Sequence, residues 1–354
     1  LMDVRFYRPF FFKGELYCWL ANTGHWRDTG GMVPGGFSAN ATEVEQEGLR
    51  LPPVKLIKEG ETDKEILSIV LNNIRTADQT IGDIKAQAAA LTIGEKRLTG
   101  LLERYGRDTV EDCIVELRAR AARQMRAKIE RIPDGEYEFW DYLDDDMASR
   151  IPVRIRVKMT VRDGTVHLDF TSTDPQVSAS FNVPTMNRLS YWLSMRLTTF
   201  ICSHDKSIPL NAGMYRPITC TNPVGTILNA EFPDAVGIRS APGRRVNDAI
   251  TGAILKAAPD KLSVPSCGAG ATVVLVENSE TGNDRQVLVV EPVRGGMGAS
   301  EGQDGVDGRD STMSNMQNHP VEIIEADAAL IIQEYDLRLD SGGPGRWRGG
   351  LGQL

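Results

Sequence analysis

The first 25 residues of the chain show a strand-like pattern of hydrophobic positions. Residues 4–12 and 16–20 are rich in β-branched and aromatic side chains, and a polar turn around Gly14 separates the two runs. Two such runs joined by a short glycine turn are typical of a β-hairpin. The hairpin would bring its open ends, Asp3 and the region of His25, close together in space.

Three stretches with helical periodicity follow the hairpin. Residues 62–75, 80–105 and 109–132 carry apolar side chains at a spacing of three to four, as one buried face of a helix requires. The first stretch begins with a cap-like Thr-Asp pair, and Pro133 ends the third. The pattern therefore predicts a helical segment near residues 62–132.

Beyond Pro133 the pattern changes to strand-like runs. Residues 153–161 and 166–170 are joined by an Asp-Gly turn, which is a strong hairpin signal. Further helices and strands are predicted downstream, the helices at 187–202 and 245–258 and the strands at 273–276 and 286–292.

These elements predict an α+β fold with mixed and largely antiparallel sheets. We place a soft domain boundary where the helices give way to strands. Residues 1–132 would hold the hairpin, a glycine loop and the helices, and residues 133–354 would form a β-rich α+β region. Because no internal repeat or low-complexity linker marks this boundary, one continuous domain stays open as an alternative.

Composition and charge argue against several classes of protein. The 354 residues are 41% hydrophobic and 25% charged, which is ordinary for a globular protein with a buried core. The formal net charge of -8 argues against a general surface for nucleic acid or anionic membrane. No apolar run of about 18 residues predicts a membrane span. The five cysteines form no C-x-x-C pair, and their odd, scattered number suits a reducing compartment, so we expect a cytoplasmic protein.

Near the start of the chain, a histidine and an aspartate that could bind a metal or a substrate lie in and beside a glycine-rich loop. His25, one of four histidines, leads from a strand-like run into a loop that contains Asp28, Gly30 and Gly31. An imidazole and carboxylates beside such a loop suit a divalent metal or a polar substrate. Residues of these types are more often ordinary surface residues than ligands. Asp28 is a candidate catalytic residue here, and Gly30 and Gly31 are candidate substrate contacts.

A second candidate region combines acidic residues with another glycine run. Glu291 precedes Gly295 and Gly296, and three aspartates follow them, Asp304, Asp307 and Asp310. Acidic groups on such a loop can bind metal, accept substrate amide protons or cap turns. Glu291 is the second candidate catalytic residue, and the two glycines are candidate substrate contacts.

One common nucleotide-binding motif does not occur in the sequence. It contains no G-x-x-x-x-G-K-[ST] phosphate loop. Its glycine runs also lack the strand-to-helix setting that dinucleotide binding requires. We therefore expect that this chain does not bind ATP through a phosphate loop of its own.

Recognisable blocks run along nearly the whole chain, at residues 3–36, 43–54, 73–76, 81–87, 208–213, 216–218, 295–298, 304–307 and 340–350. Together these blocks resemble the B subunit of the hydantoinase/oxoprolinase family. That family includes ATP-dependent N-methylhydantoinases, 5-oxoprolinases and caprolactamase, and it is related to acetone and acetophenone carboxylases. Several blocks in the same order are far more specific than any single glycine motif.

The resemblance implies a divalent metal site at the hairpin. In the relatives an H-x-x-D pair and a second histidine bind the metal. Asp3 takes the Asp position of that pair, and His25 takes the position of the second histidine. The first histidine would stand just upstream of Leu1, so we expect more residues on both sides of the sequence. The resemblance does not distinguish Zn, Mn and Mg. Relatives often have Glu-Thr where this chain has Glu291 and a proline, so the role of Glu291 stays open.

The resemblance also implies a function as the B-type subunit of an ATP-dependent amidohydrolase complex. The complex would open a small cyclic amide (a hydantoin, 5-oxoproline or a lactam), and an A-type partner subunit would bind the ATP. One alternative is a subunit of an ATP-dependent ketone carboxylase, although the glycine run after His25 is closer to the hydantoinase branch. A non-catalytic scaffold subunit is the second alternative.

Overall fold

The computed structural model describes residues 2–259, 262–266, 270–277, 287–309 and 317–354. The predicted α+β fold is confirmed, because helices and several small sheets, mostly antiparallel, share the chain. In chain order the elements are β1 (Asp3–Phe12), β2 (Glu15–His25), β3 (Ile57–Lys58), β4 (Glu61–Thr62), α1 (Lys64–Asn72), α2 (Ala77–Tyr105), α3 (Arg107–Ile129), β5 (Gly135–Leu143), β6 (Val153–Arg162), β7 (Thr165–Asp169), α4 (Tyr191–Ser203), β8 (Ile218–Thr221), α5 (Ser240–Ala257), β9 (Gly270–Glu277), β10 (Val287–Arg294) and α6 (Val321–Asp327).

The chain divides into two compact units, which we describe separately. The first unit consists of Leu1–Ser38, Glu45–Glu116 and Val276–Leu288, and the second contains Ala39–Val44, Leu117–Leu275 and Val289–Leu354. The division falls within helix α3. The sequence-based boundary near residue 132 marks a change of secondary-structure type, which is a different criterion, and it stays a prediction.

The hairpin predicted at the start of the chain is confirmed. β1 and β2 pair antiparallel, and the two residues between them, Lys13 and Gly14, both have positive φ, at 52° and 85°. Two left-handed residues in a two-residue connection form the turn that matches the natural twist of paired strands. The register places Asp3 directly opposite His25 at the open end.

Helix α2 covers one face of this hairpin and fixes its open end. Gln87 of α2 accepts a hydrogen bond from Nε1 of Trp26 at 2.9 Å and donates from Nε2 to the carbonyl oxygen of Val4 at 3.0 Å. A Cβ at position 24 would lie 2.6 Å from the Gln87 side chain, so a larger residue there would have to displace the Gln87 amide. The residues on both sides of His25 are therefore held by a single helical side chain.

The other face of the hairpin presents large apolar side chains to the surface. Their exposed fractions are 59% for Tyr7, 56% for Phe11, 49% for Leu16 and 59% for Trp19. An isolated two-stranded hairpin is only marginally stable in water. The contacts that α2 makes with β1 and β2 therefore contribute strongly to its stability.

The second unit is built on a four-stranded sheet of order β5-β6-β7-β8. The first three strands pair antiparallel, and β8 pairs parallel to β7. Alternate residues of β6 are buried, including Ile155 and Met159, which are fully buried. β6 and β7 are joined by Asp163 and Gly164, both with positive φ, as the Asp-Gly signal predicts.

Helix α5 packs on β5 and β6 and carries a buried polar group. Arg245 donates to Asp141 at 2.7 Å and to Asp248 at 2.8 Å. Burial raises the pKa of the Asp248 carboxyl to about 6; the Arg245 guanidinium opposes this rise, and the neighbouring Asp141 adds to it. No helix in the described part of the chain is long and apolar enough to cross a membrane.

Candidate functional site

The open end of the hairpin brings together the two residues predicted to hold a metal. The Nδ1 atom of His25 lies 2.9 Å from Oδ1 of Asp3. Both side chains are accessible, with 59% of the His25 side chain and 35% of the Asp3 side chain exposed. The convergence follows from strand register, since the two residues are Cα partners in the antiparallel ladder.

The spacing of these two donors is compatible with a shared divalent metal. Two ligands at bond lengths of about 2.0–2.2 Å stand roughly 3 Å apart when they occupy neighbouring coordination positions. An imidazole nitrogen with a carboxylate oxygen suits Zn or Mn better than Mg, which prefers oxygen ligands alone. Within the described ranges no group of three or more His, Cys, Asp or Glu side chains converges, so the hairpin offers two donors there.

Asp28 organises the glycine loop that follows His25. Its side chain is fully buried, and its two oxygens accept hydrogen bonds from the backbone N–H groups of Gly30, Gly35 and Arg75, at 2.8, 2.9 and 3.0 Å. The Arg75 guanidinium donates a fourth, at 3.0 Å. Arg75 also donates to the carbonyl oxygen of Gly31 at 2.7 Å, so one buried ion pair holds both sides of the loop.

The loop glycines are required by close backbone approaches. Gly30 has a φ of 80°, and a Cβ there would lie 2.3 Å from the carbonyl oxygen of Asn73. Gly31 has a φ of 90°, and its Cβ would lie 2.8 Å from the carbonyl oxygen of Gln46. Both glycines thus allow the loop to fold within its own unit. Their predicted contact with substrate stays a prediction.

A second set of polar residues surrounds Glu291 in the other unit. Its Oε1 atom accepts hydrogen bonds from Tyr335 Oη at 2.6 Å and from Asn318 Nδ2 at 2.7 Å, and its Oε2 lies 2.7 Å from Nδ1 of His319. Burial acts to raise the pKa of Glu291, but the hydrogen bonds from Tyr335, Asn318 and His319 outweigh it, and the pKa is lowered. The pKa of Tyr335 is raised by burial and by the carboxylate beside it.

The glycine run after Glu291 is closely packed against the C-terminal segment. A Cβ on Gly296 would lie 1.9 Å from the carbonyl oxygen of Gly350, and the N–H of Gly350 donates to the Met297 carbonyl at 2.8 Å. These approaches account for the glycine at 296, while the predicted substrate contacts of Gly295 and Gly296 stay predictions.

Two of the aspartates that follow this run are paired with one arginine. Arg348 donates its backbone N–H to Asp304 at 2.9 Å and Nη1 to Asp307 at 2.9 Å. The hydrogen bonds from Arg348 lower the pKa of Asp307. Asp310 lies outside the described residues. The contacts of Asp304 and Asp307 hold a segment more than 40 residues further along the chain, which is a structural role.

Sequence reasoning brought Asp3 and His25 together but missed the residues that support the two clusters. Each of these residues contacts a partner far along the chain, and no periodicity of the sequence predicts such a contact: Arg75, Gln87, Asn318 and Tyr335. Asp28 and Glu291 are both buried and fully hydrogen-bonded. Their predicted direct role in catalysis is untested and stays a prediction.

A family model described as hydantoinase B/oxoprolinase matches residues 1–354. The caprolactamase subunit beta of Pseudomonas jessenii is 33% identical over 358 residues, covering 99% of this chain and 61% of that protein. The 5-oxoprolinase of Dictyostelium discoideum is 28% identical, covering 99% of this chain and 27% of that protein. The chain therefore spans about three fifths of the caprolactamase subunit it matches.

Two solved structures share the fold. The crystal structure of the ATP-dependent caprolactamase from Pseudomonas jessenii superposes with a TM-score of 0.89 at 31% identity, covering 99% of this chain and 61% of that one. The nucleotide-free structure of acetone carboxylase also gives a TM-score of 0.89, at 18% identity over 99% of this chain and 48% of that one. At that identity the second likeness concerns the fold alone.

Proposed function

Because the chain belongs to the hydantoinase B/oxoprolinase family, we propose that it is the B-type subunit of an ATP-dependent complex that opens a cyclic amide. The observation that carries the proposal is the match to caprolactamase subunit beta, which extends over 99% of this chain. A hydantoin, 5-oxoproline or a lactam is the substrate class. All three contain a ring C–N bond that amide resonance protects from attack by water.

The chemistry explains why ATP is needed. Phosphorylation of the amide oxygen converts a poor electrophile into a reactive one, because the oxygen becomes part of a leaving group. The sequence has no phosphate loop. We therefore assign ATP binding to an A-type partner subunit, in agreement with relatives that are named as subunits.

Asp3 and His25 are the residues that would hold a divalent metal in this chain. A metal bound there would polarise the substrate carbonyl or activate a water molecule. The distance of 2.9 Å between the two donor atoms supports the assignment, and further ligands would complete the coordination shell. Gln87 holds Trp26, which follows His25 directly, and the Asp28–Arg75 pair holds the glycine loop beyond it. Together these contacts keep the backbone next to His25 in place.

The test is co-expression of the full-length chain with its A-type subunit. ATP turnover is measured with hydantoin, 5-oxoproline, a lactam, and a ketone plus bicarbonate as separate substrates. We expect turnover with a cyclic amide. Turnover with the ketone and bicarbonate alone would instead identify a carboxylase, and no turnover with any substrate would favour the scaffold role.

The metal assignment has its own measurement. Full-length His25→Ala should lose its metal by elemental analysis, while His204→Ala should keep it. His204 is a suitable control because it is an exposed histidine of the other unit that packs edge-on against Phe200. An unchanged metal content in His25→Ala would overturn the ligand assignment without affecting the substrate class.

A further inference from the structure

The second unit contains another histidine held by a carboxylate. His319 Nδ1 lies 2.7 Å from Glu291 Oε2, and the backbone N–H of His319 also donates to that oxygen, at 3.3 Å. The two side chains differ strongly in accessibility, with 9% of Glu291 exposed against 46% of His319. A buried anion thus holds one edge of an imidazole whose body remains open to solvent.

Hydrogen bonds from neighbouring side chains hold the Glu291 carboxylate in one position. Tyr335 and Asn318 both donate to its Oε1 atom, at 2.6 and 2.7 Å. Asn318 is held in turn, because its Nδ2 donates to the Pro292 carbonyl at 2.8 Å and its Oδ1 accepts from Gln353 Nε2 at 2.9 Å. A carboxylate with donors on both oxygens is stabilised in its ionised form.

An ionised Glu291 determines the tautomer of His319. The carboxylate can only accept, so the imidazole places its proton on Nδ1, and the lone pair is left on Nε2. No described residue forms a hydrogen bond with that Nε2 atom. This is the arrangement in which a buried carboxylate orients an imidazole and stabilises the imidazolium that forms when Nε2 takes a proton.

His167 shows that the arrangement is not a general property of histidines in this chain. Its ring lies on the sheet with Nδ1 2.8 Å from the hydroxyl of Thr219 and Nε2 3.0 Å from the hydroxyl of Thr221. Both nitrogens of His167 are therefore occupied by neutral groups. His319 instead has one anionic partner, and its other nitrogen has no partner among the residues that the structure describes.

We propose that His319 is a general base of this chain, with Nε2 as the reacting atom and Glu291 as its positioning residue. The proposal rests on the amide-opening function proposed above. As the oxygen of the attacking water bonds to the carbon of the O-phosphorylated amide, one water proton passes to Nε2. When the ring C–N bond breaks, this proton and the proton of the new hydroxyl pass to the leaving nitrogen, so His319 is regenerated. The acyl phosphate that remains is hydrolysed by a second water to a carboxylate and phosphate.

The reactivity of the imidazole can be measured without knowing the substrate. Diethyl pyrocarbonate acylates unprotonated ring nitrogens, and peptide mass spectrometry resolves the four histidines of the sequence. In the full-length chain with its partner, we expect His319 to react faster than His167. Glu291→Gln should slow the acylation of His319, because the imidazole loses the carboxylate that fixes its tautomer and orientation, while His204 should react as before.

Kinetics of the complex then separate a catalytic role from a structural one. His319→Gln should lower kcat by about 10²–10⁴-fold, the range for loss of a general base, with little change in KM. Its metal content should equal that of wild type, unlike that of His25→Ala. In His319→Gly, added imidazole should restore part of kcat.

Either of two results would overturn the proposal. One is a rate of His319 acylation that is the same in Glu291→Gln as in the wild type. This result would exclude Glu291 as the positioning residue even if the complex acts on no cyclic amide. The other is a kcat of His319→Gln within about threefold of wild type in a complex that does open a cyclic amide, because general-base catalysis contributes at least about 10²-fold. That second result would leave the proposed function intact.

Discussion

Replacing Asp28 with asparagine tests whether one buried carboxylate determines the shape of the glycine loop. The substitution keeps the size of the side chain and removes its charge. In the wild type, Oδ1 accepts the N–H groups of Gly30 and Arg75, and Oδ2 accepts the N–H of Gly35 and one guanidinium N–H of Arg75. In the variant one of these two oxygens becomes an NH₂ group, which cannot accept.

The expected cost follows from counting donors. In either orientation of the asparagine amide, two N–H groups face another donor. Each buried donor without an acceptor costs about 1–3 kcal/mol, which gives roughly 2–6 kcal/mol. Breaking a buried ion pair by removing one partner costs about 3–5 kcal/mol, so the two estimates agree. Because 27% of the Arg75 side chain is exposed and can recover hydrogen bonds to water, we expect about 3 kcal/mol.

Urea unfolding of the full-length protein measures this loss, and hydrogen exchange of the Gly30 and Gly35 amides locates it. Asp83→Asn is the matched control, since Asp83 is exposed on α2 and its substitution should change stability by less than about 0.5 kcal/mol. Adding Arg75→Met to Asp28→Asn should cost less than the sum of the two single changes. A loss below about 1 kcal/mol in Asp28→Asn, with unchanged exchange, would refute the reasoning.

Five further outcomes are expected. Wild type should lose stability relative to Asp248→Asn by up to about 3 kcal/mol as the pH rises from about 4 to about 6. The reason is that the Asp248 carboxyl keeps its proton in the folded state over this range, whereas the unfolded chain has released it. A difference in urea unfolding that does not depend on pH would contradict this. Gly252→Ala should cost about 1–3 kcal/mol, because its Cβ would lie 2.3 Å from Cγ of Phe139. Gly82→Ala, with open space around the added carbon, should instead stabilise by up to about 1 kcal/mol in the same assay. The full-length chain purified without a partner should not turn over ATP, and robust turnover would contradict the assignment of ATP binding to the partner. Partner binding should increase the hydrogen-exchange protection of residues 30–36, and unchanged protection would count against a position of this loop at the partner interface.

The sequence was sufficient for elements whose signals are local. The hairpin of β1 and β2 was predictable because hydrophobic runs flank a glycine turn, and Asp163 with Gly164 predicted the turn between β6 and β7 in the same way. Helix ends were less certain. The helix predicted at 187–202 begins at Tyr191 in the structure, because its first residues form turns and bends.

The site could be predicted only in part, for a physical reason. Asp3 and His25 meet through strand register, which the hairpin pattern implies. Glu291 and His319 meet although 28 positions separate them in the sequence, and no periodicity reports such a contact. Glu291 was identified from its glycine run, but its partner His319 precedes a proline in a polar loop and carries no local signal of its own.

The long-range contacts of the loop also have a consequence for the order in which the protein folds. The strands of the hairpin can pair as soon as both have been synthesised, since their turn is local and such pairing takes microseconds. The loop after His25 depends on Arg75, 47 residues beyond Asp28, and Trp26 depends on Gln87, 61 residues further along. On the ribosome the region around His25 therefore stays open until helix α2 has emerged, so the site can form only after most of its unit has been translated.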